Sequence, residues 1–135
     1  MGAFTNKMEE WITEHFLRTS TTVPQPAGLW LTLFTADPTE AGLYTNECGY
    51  TGYTREVIAF NTINSTTGVI TNNGAVTFDA NQDAGAVTVT HAGVTTSATL
   101  GAGDLLIYGE LQADKILAQG DTLSFADGAL SLTLD

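Results

Sequence analysis

Apolar positions along this chain recur with two different periods, and the change falls near residue 20. Phe4, Met8, Trp11, Ile12 and Phe16 follow one another at helical spacings, with Leu17 beside the stripe. That places one aromatic-rich face along about three turns and predicts an amphipathic helix over residues 6–17. Asn6 followed by Glu9 fits a capping box, in which each side chain satisfies an orphan amide at the helix start. Thr19-Ser20-Thr21-Thr22, then Pro24 and Pro26, favour extended or turn structure and end it. So short a helix is marginal alone in water and needs a surface. Two surfaces qualify: an open face of its own domain, or a neighbouring subunit.

From Gly28 onward the period drops to two. Leu29, Leu31 and Leu33 share one face of the strongest predicted strand, Trp30 and Phe34 the other, so both faces are expected to be covered. A long connection, Ala36 to Gly52, follows; Tyr44 and Tyr50 punctuate it and Tyr53 lies just past its end. Tyr53 to Phe60 is the second predicted strand, with Val57 opposite Ile58 and Phe60. Thr67-Gly68 and Asn72-Asn73-Gly74 read as turns around short strands at Val69-Ile70 and Ala75–Phe78. After a polar loop at Asp79–Gly85, Ala86 to Val94 alternates clearly, Val87 and Val89 opposing Thr88 and Thr90.

Leu105 to Leu111 is the next strand, with Gly109 marking a bulge or close contact. Ala113–Lys115 reads as a connector and Ile116–Ala118 as a short edge strand. Thr122–Phe125 and Leu130–Leu134 close the chain, the final strand fixing its end in a sheet. Eight or nine short strands with frequent glycine turns argue for an all-β fold, an antiparallel β-sandwich of jelly-roll-like type behind one short helix. The expected organisation is an N-terminal helical arm over 1–18 and a β-sandwich domain over 19–135.

Composition narrows the function. Charged residues are only 14% of the chain, against a usual value of about 25%. Threonine is abundant, and a β-branched, uncharged surface suits strands and buries with little charge desolvation. The net charge of −11, from four basic and fifteen acidic residues, repels phosphate. It therefore weighs against nucleic acid and against an anionic membrane surface as partners. There is no apolar stretch of membrane-spanning length, and the start lacks the basic-then-apolar order of a signal peptide. The single cysteine, Cys48, reads as a free thiol in a loop.

Catalytic chemistry finds little purchase. His15 and His91 are isolated in sequence, and His91 reads as a packed or hydrogen-bonded histidine. Asp79, Asn81 and Asp83 offer oxygens at alternate positions. The glycine and distal glutamate of a helical calcium loop are missing, so a solvated acidic loop is expected. No serine occupies a nucleophile elbow, and Gly101-Ala102-Gly103 leads into no phosphate-binding helix. Lys7, Arg18, Arg55 and Lys115 make no patch. The expectation is a non-enzymatic protein without cofactor or metal.

Several blocks then stand out together. They are Leu29–Pro38, Gly52–Val57 leading to Phe60, Thr88–Val94, and Leu105–Leu111, with Gly120-Asp121 through Phe125 to Gly128 and Leu130–Leu134 at the end. In this order, behind an amphipathic helix, they resemble a family of small tailed-bacteriophage virion proteins, the tail fibre or head decoration proteins. The resemblance covers nearly the whole chain. It departs at Thr95–Asp104, where a loop replaces the usual Asp-Ala-x-Thr-Gly-Gly type of turn.

The resemblance implies a virion part. The leading expectation is a capsid decoration or cement protein on the outer capsid surface, a homo-trimer bridging copies of the major capsid protein by multivalent contacts. The alternative is a tail fibre or baseplate component contacting the host surface, including its sugars. Candidate assembly contacts are Met8, Trp11, Ile12 and Phe16 on the helix, and Tyr44, Tyr50 and Tyr53 at the long loop.

Overall fold

The computed structural model describes residues 2–19 and 23–133. The order of elements is β1 (Ala3–Phe4), α1 (Asn6–Ile12) continuing into a π turn (Thr13–Leu17), β2 (Trp30–Phe34), β3 (Glu56–Val57), β4 (Val69–Thr71), β5 (Val76–Thr77), β6 (Val87–Thr95), β7 (Leu105–Leu117), β8 (Ser124–Phe125) and β9 (Ser131–Thr133). The Ser20–Thr22 part of the threonine run and the Leu134–Asp135 end of the last strand lie outside the described residues.

A five-stranded antiparallel sheet in the order β1-β7-β6-β2-β3 forms the main layer. β2 lies between β6 and β3, with Leu31 opposite Val94 and Leu33 opposite Ala92. These four side chains point into one core, which also takes Ile58, Val76, Phe78, Val89, Leu117, Leu123, Tyr50 and Tyr53. The other face of β2 is covered too. Thr32 and Phe34 are fully buried, and Phe34 stacks on Tyr44 of the long loop at 6.2 Å. The two-faced covering expected of this strand is therefore present. Gly93 of β6 permits the close packing there: a Cβ would stand 2.7 Å from Leu105 Cδ1 and 2.9 Å from the Ile107 carbonyl oxygen.

Two separate two-stranded ribbons, β4 with β9 and β5 with β8, complete the antiparallel architecture. Among the described residues no sheet closes into the jelly-roll barrel that strand spacing suggested. The ribbons are too short to continue the main sheet; a buried asparagine holds them together. Asn72 Nδ2 donates to the carbonyls of Gly74 (2.8 Å) and Ala126 (3.0 Å), and its Oδ1 accepts from the Leu130 amide (2.9 Å). One side chain thus ties the β4–β5 turn to the β8–β9 turn.

Two strand boundaries differ from the alternation. Of Tyr53–Phe60 only Glu56–Val57 pairs with β2, because the Tyr53 amide closes a turn onto the Tyr50 carbonyl and Phe60 bridges to Asn72. Conversely, the connector expected at Ala113–Lys115 and, of the edge strand expected at Ile116–Ala118, residues Ile116 and Leu117 belong to β7. Val89 pairs with Lys115 and His91 with Glu110, so residues 111–114 stand opposite Thr90 alone as a wide bulge within one strand. Gly109 stays in register with Ala92.

Candidate assembly site

The arm begins as an edge strand and then lifts off. β1 pairs with β7 through Ala3–Tyr108 and Phe4–Ile107. Thr5, not Asn6, is the N-cap: its backbone is extended, its Oγ1 accepts from the Met8 amide, and the same hydroxyl donates to the Leu105 carbonyl. Burial explains the choice. Thr5 is 1% exposed and must satisfy its hydroxyl internally, which fixes the helix start one residue before the capping box. The Asn6 amide donates to the Glu40 carbonyl, holding the helix start against the long loop.

Met8, Trp11 and Ile12 are half-buried, and α1 packs on β1 and β7. Beyond them the backbone changes. The Arg18 amide donates to the Thr13 carbonyl, an i→i+5 bond. A π turn takes more residues per turn than the 3.6 of an α-helix, so Phe16 leaves the line of Met8 and Ile12. Phe16 is 71% and Leu17 79% exposed, and the turn touches no helix or strand other than α1. Of the two surfaces open to the helix, its own domain covers the base and nothing covers the tip.

The tyrosines go the other way. Tyr50 and Tyr53 are 4% and 5% exposed, and Tyr53 stacks on Phe78 at 5.9 Å. Tyr44 is half-buried, its ring beneath the Arg55 guanidinium at 4.6 Å. Their rings face inward because each hydroxyl has a partner inside. Tyr44 donates to Thr95 Oγ1 at 2.6 Å, leaving Thr95 to donate to the Asp104 carbonyl. Tyr50 donates to the Asp79 carbonyl, and Tyr53 accepts from the Leu33 amide. Burial drives the Tyr50 hydroxyl up to about 12 and raises that of Tyr53 further. Neither ring is on the surface to meet a neighbour or a sugar.

Sequence patterning did not single out the pair at the centre of this region. Arg55 Nε and Nη2 donate to the two carboxylate oxygens of Glu47, at 2.6 and 2.9 Å. Arg55 Nη1 donates to the carbonyls of Ser97 (2.7 Å) and Ala102 (2.8 Å). Glu47 also accepts from Thr32 Oγ1 and from the Gly101 amide, each at 2.8 Å. With the Thr32 proton given to Glu47, the Tyr53 hydroxyl donates to Thr32. The side chains of Arg55 and Glu47 are 0% and 5% exposed. The bidentate pair thus pins the long loop and the 96–104 loop to the sheet. Gly52-Tyr-Thr-Arg-Glu-Val57 carried the one usable signal, Arg55, one of only four basic residues in the chain.

The acidic triplet is structural as well. Asn81 is fully buried; its Nδ2 donates to the Gly85 and Leu117 carbonyls and its Oδ1 accepts from the Asp83 amide. Asp83 accepts from the Thr51 amide, and its pKa is lowered first by the Thr51 side chain and then by that amide. Among the described residues no group of three or more His, Cys, Asp or Glu side chains is placed to hold a metal. His15 is exposed, and His91 bonds to Thr90 Oγ1 through Nδ1 at 2.8 Å. Cys48 is a free thiol in the long loop, as expected, and is buried there; burial pushes it from 9.0 to about 12. Among the described residues, no helix is long and apolar enough to cross a membrane.

A groove of about 510 Å³ opens between the main sheet and the ribbons, lined by Leu31, Phe60, Ile107, Phe125, Leu130 and Leu132. The bulged edge of β7, including Glu110, Ala113 and Lys115, forms its rim.

What these residues build is a structural β module. Its strongest polar groups brace loops against a sheet, and two adjacent large apolar side chains, Phe16 and Leu17, stand exposed at the end of an arm, as Val57 and Ile116 do singly elsewhere. The chain matches the Gp80 family, Podophage GP4 fiber I protein gp80, over residues 3–133, and belongs to that family. It is a structural protein of the virion, of the fiber class. No curated protein matches it.

Proposed function

We propose that this chain is a component of the phage tail fibre, attached within the particle through its N-terminal arm. Membership of a fiber family over nearly the whole chain carries this reading. It favours the tail over the capsid-bridging role that was the leading expectation. The arm supports attachment: Met8, Trp11 and Ile12 seat its base, and Phe16 and Leu17 are presented with nothing beneath them. A monomeric protein gains little from exposing adjacent large apolar side chains on a helical end, whereas an interface does.

Gold-labelled antibody against the chain, applied to intact particles, tests the location. Label at the tail is the expected result. Label spread over the head shell, with none on the tail, would return the reading to a cement protein bridging the major capsid protein.

A further inference from the structure

We infer that the arm tip of one copy seats in the apolar groove of a second copy, joining the chains head to tail. The inference rests on the arm being an assembly element, and it names the partner. The chain presents both halves of such a contact. Phe16 and Leu17 project from the arm without cover, and the groove is open and lined by Leu31, Phe60, Ile107, Phe125, Leu130 and Leu132.

Strand direction separates the two halves. β1 runs antiparallel to β7, and Thr5 bonds to Leu105 and Leu106, so the arm leaves the sheet at the start of β7. The groove extends along β7 from Ile107 to Lys115 and reaches Gly2, but no residue of the arm tip lines it. In one copy the tip therefore leaves the groove open to a neighbour's. Two different patches in contact make a heterologous interface, which closes into a ring or continues as a filament.

Charge supports a copy of this chain as the occupant. The arm tip carries Glu14 and the mostly exposed Arg18, ion-paired at 2.6 Å one helical turn apart. The groove rim carries Glu110 and Lys115. Lys115 has no ion-pair partner among the described residues, whereas Lys7, Arg18 and Arg55 each have one. Seated in the groove, the tip can place Arg18 against Glu110 and Glu14 against Lys115, so neither sign meets its like. Repulsion between copies of net charge −11 acts over longer range and is screened beyond about 8 Å at physiological salt.

Cross-linking between two marked full-length chains decides it. One carries Phe16→Cys and the other Ala113→Cys; both positions are exposed, and the native Cys48 is buried. Under mild oxidation the mixture is expected to yield the disulfide-linked heterodimer in preference to either homodimer. In sedimentation, F16D/L17D is expected to weaken self-association at least ~10-fold while keeping the native circular dichroism spectrum. Homodimers of F16C with no heterodimer, or self-association unchanged in F16D/L17D, would overturn the inference. So would a wild-type chain that stays monomeric at high concentration. If these fail while antibody still labels the tail, the acceptor is another protein and the fibre reading stands.

Discussion

The Glu47–Arg55 region and the arm tip invert each other. In the first, a charged pair lies in the interior with every polar atom bonded. In the second, a phenylalanine and a leucine lie in water beside an ion pair, Glu14–Arg18, whose arginine is largely exposed. Burying the ion pair is tolerable because four guanidinium N–H bonds are made and both carboxylate oxygens find partners. Exposing the two apolar side chains has no such compensation within one copy. The contrast separates what holds this fold together from what is left for assembly.

Breaking the interior pair tests the first half most strongly. Glu47→Ala leaves a buried guanidinium without its carboxylate. It is expected to destabilise the chain by about 3–5 kcal/mol in urea unfolding. A loss under about 1 kcal/mol would mean that the loops hold without it.

Alkali probes the same region through its hydroxyls and thiol. Cys48 and Tyr50 have native values near 12, raised by burial, and Tyr53 is raised too. Groups whose native pKa exceeds the unfolded one favour folding fully below the unfolded value. That contribution is lost as pH rises through the native value. The melting temperature should accordingly fall between about pH 9 and pH 12. Tyrosinate absorbance from Tyr50 and Tyr53 should appear only with unfolding. Early titration of all tyrosines in the folded protein would show that the rings are not held inward.

Asn72→Ala removes the shared staple of the two ribbons. It should cost about 1–3 kcal/mol by leaving buried backbone groups unpaired. Amide exchange should accelerate in β4 and β9 before β6.

The smallest stability effect is expected at the tip. F16D/L17D should stay within about 0.5 kcal/mol of wild type, because the tip packs on no other element. A larger loss would erase the distinction between the two regions.

Much of this protein was determined along the chain. Alternation set the strands around Leu31, Leu33, Val87 and Val89, and helical spacing set the arm, because side-chain period and backbone geometry are local properties. Glycine and asparagine marked the turn at Asn72–Gly74, where Gly74 takes a φ of 90°. The blocks from Leu29 to Leu134 also carried the virion resemblance.

Tertiary structure decided which way the polar and aromatic groups face. Tyr44, Tyr50 and Tyr53 read as contacts because a loop rich in tyrosine looks the same whether its hydroxyls meet water or Thr95, Asp79 and Leu33. Glu47 and Arg55 were invisible as a pair because their backbone partners at Ser97, Gly101 and Ala102 lie 42 to 54 residues away. The N-cap moved to Thr5 through a bond to residue 105, and one turn of π geometry took Phe16 off its stripe. Periodicity records which faces are apolar. Only the packed chain settles which of them still lacks a cover.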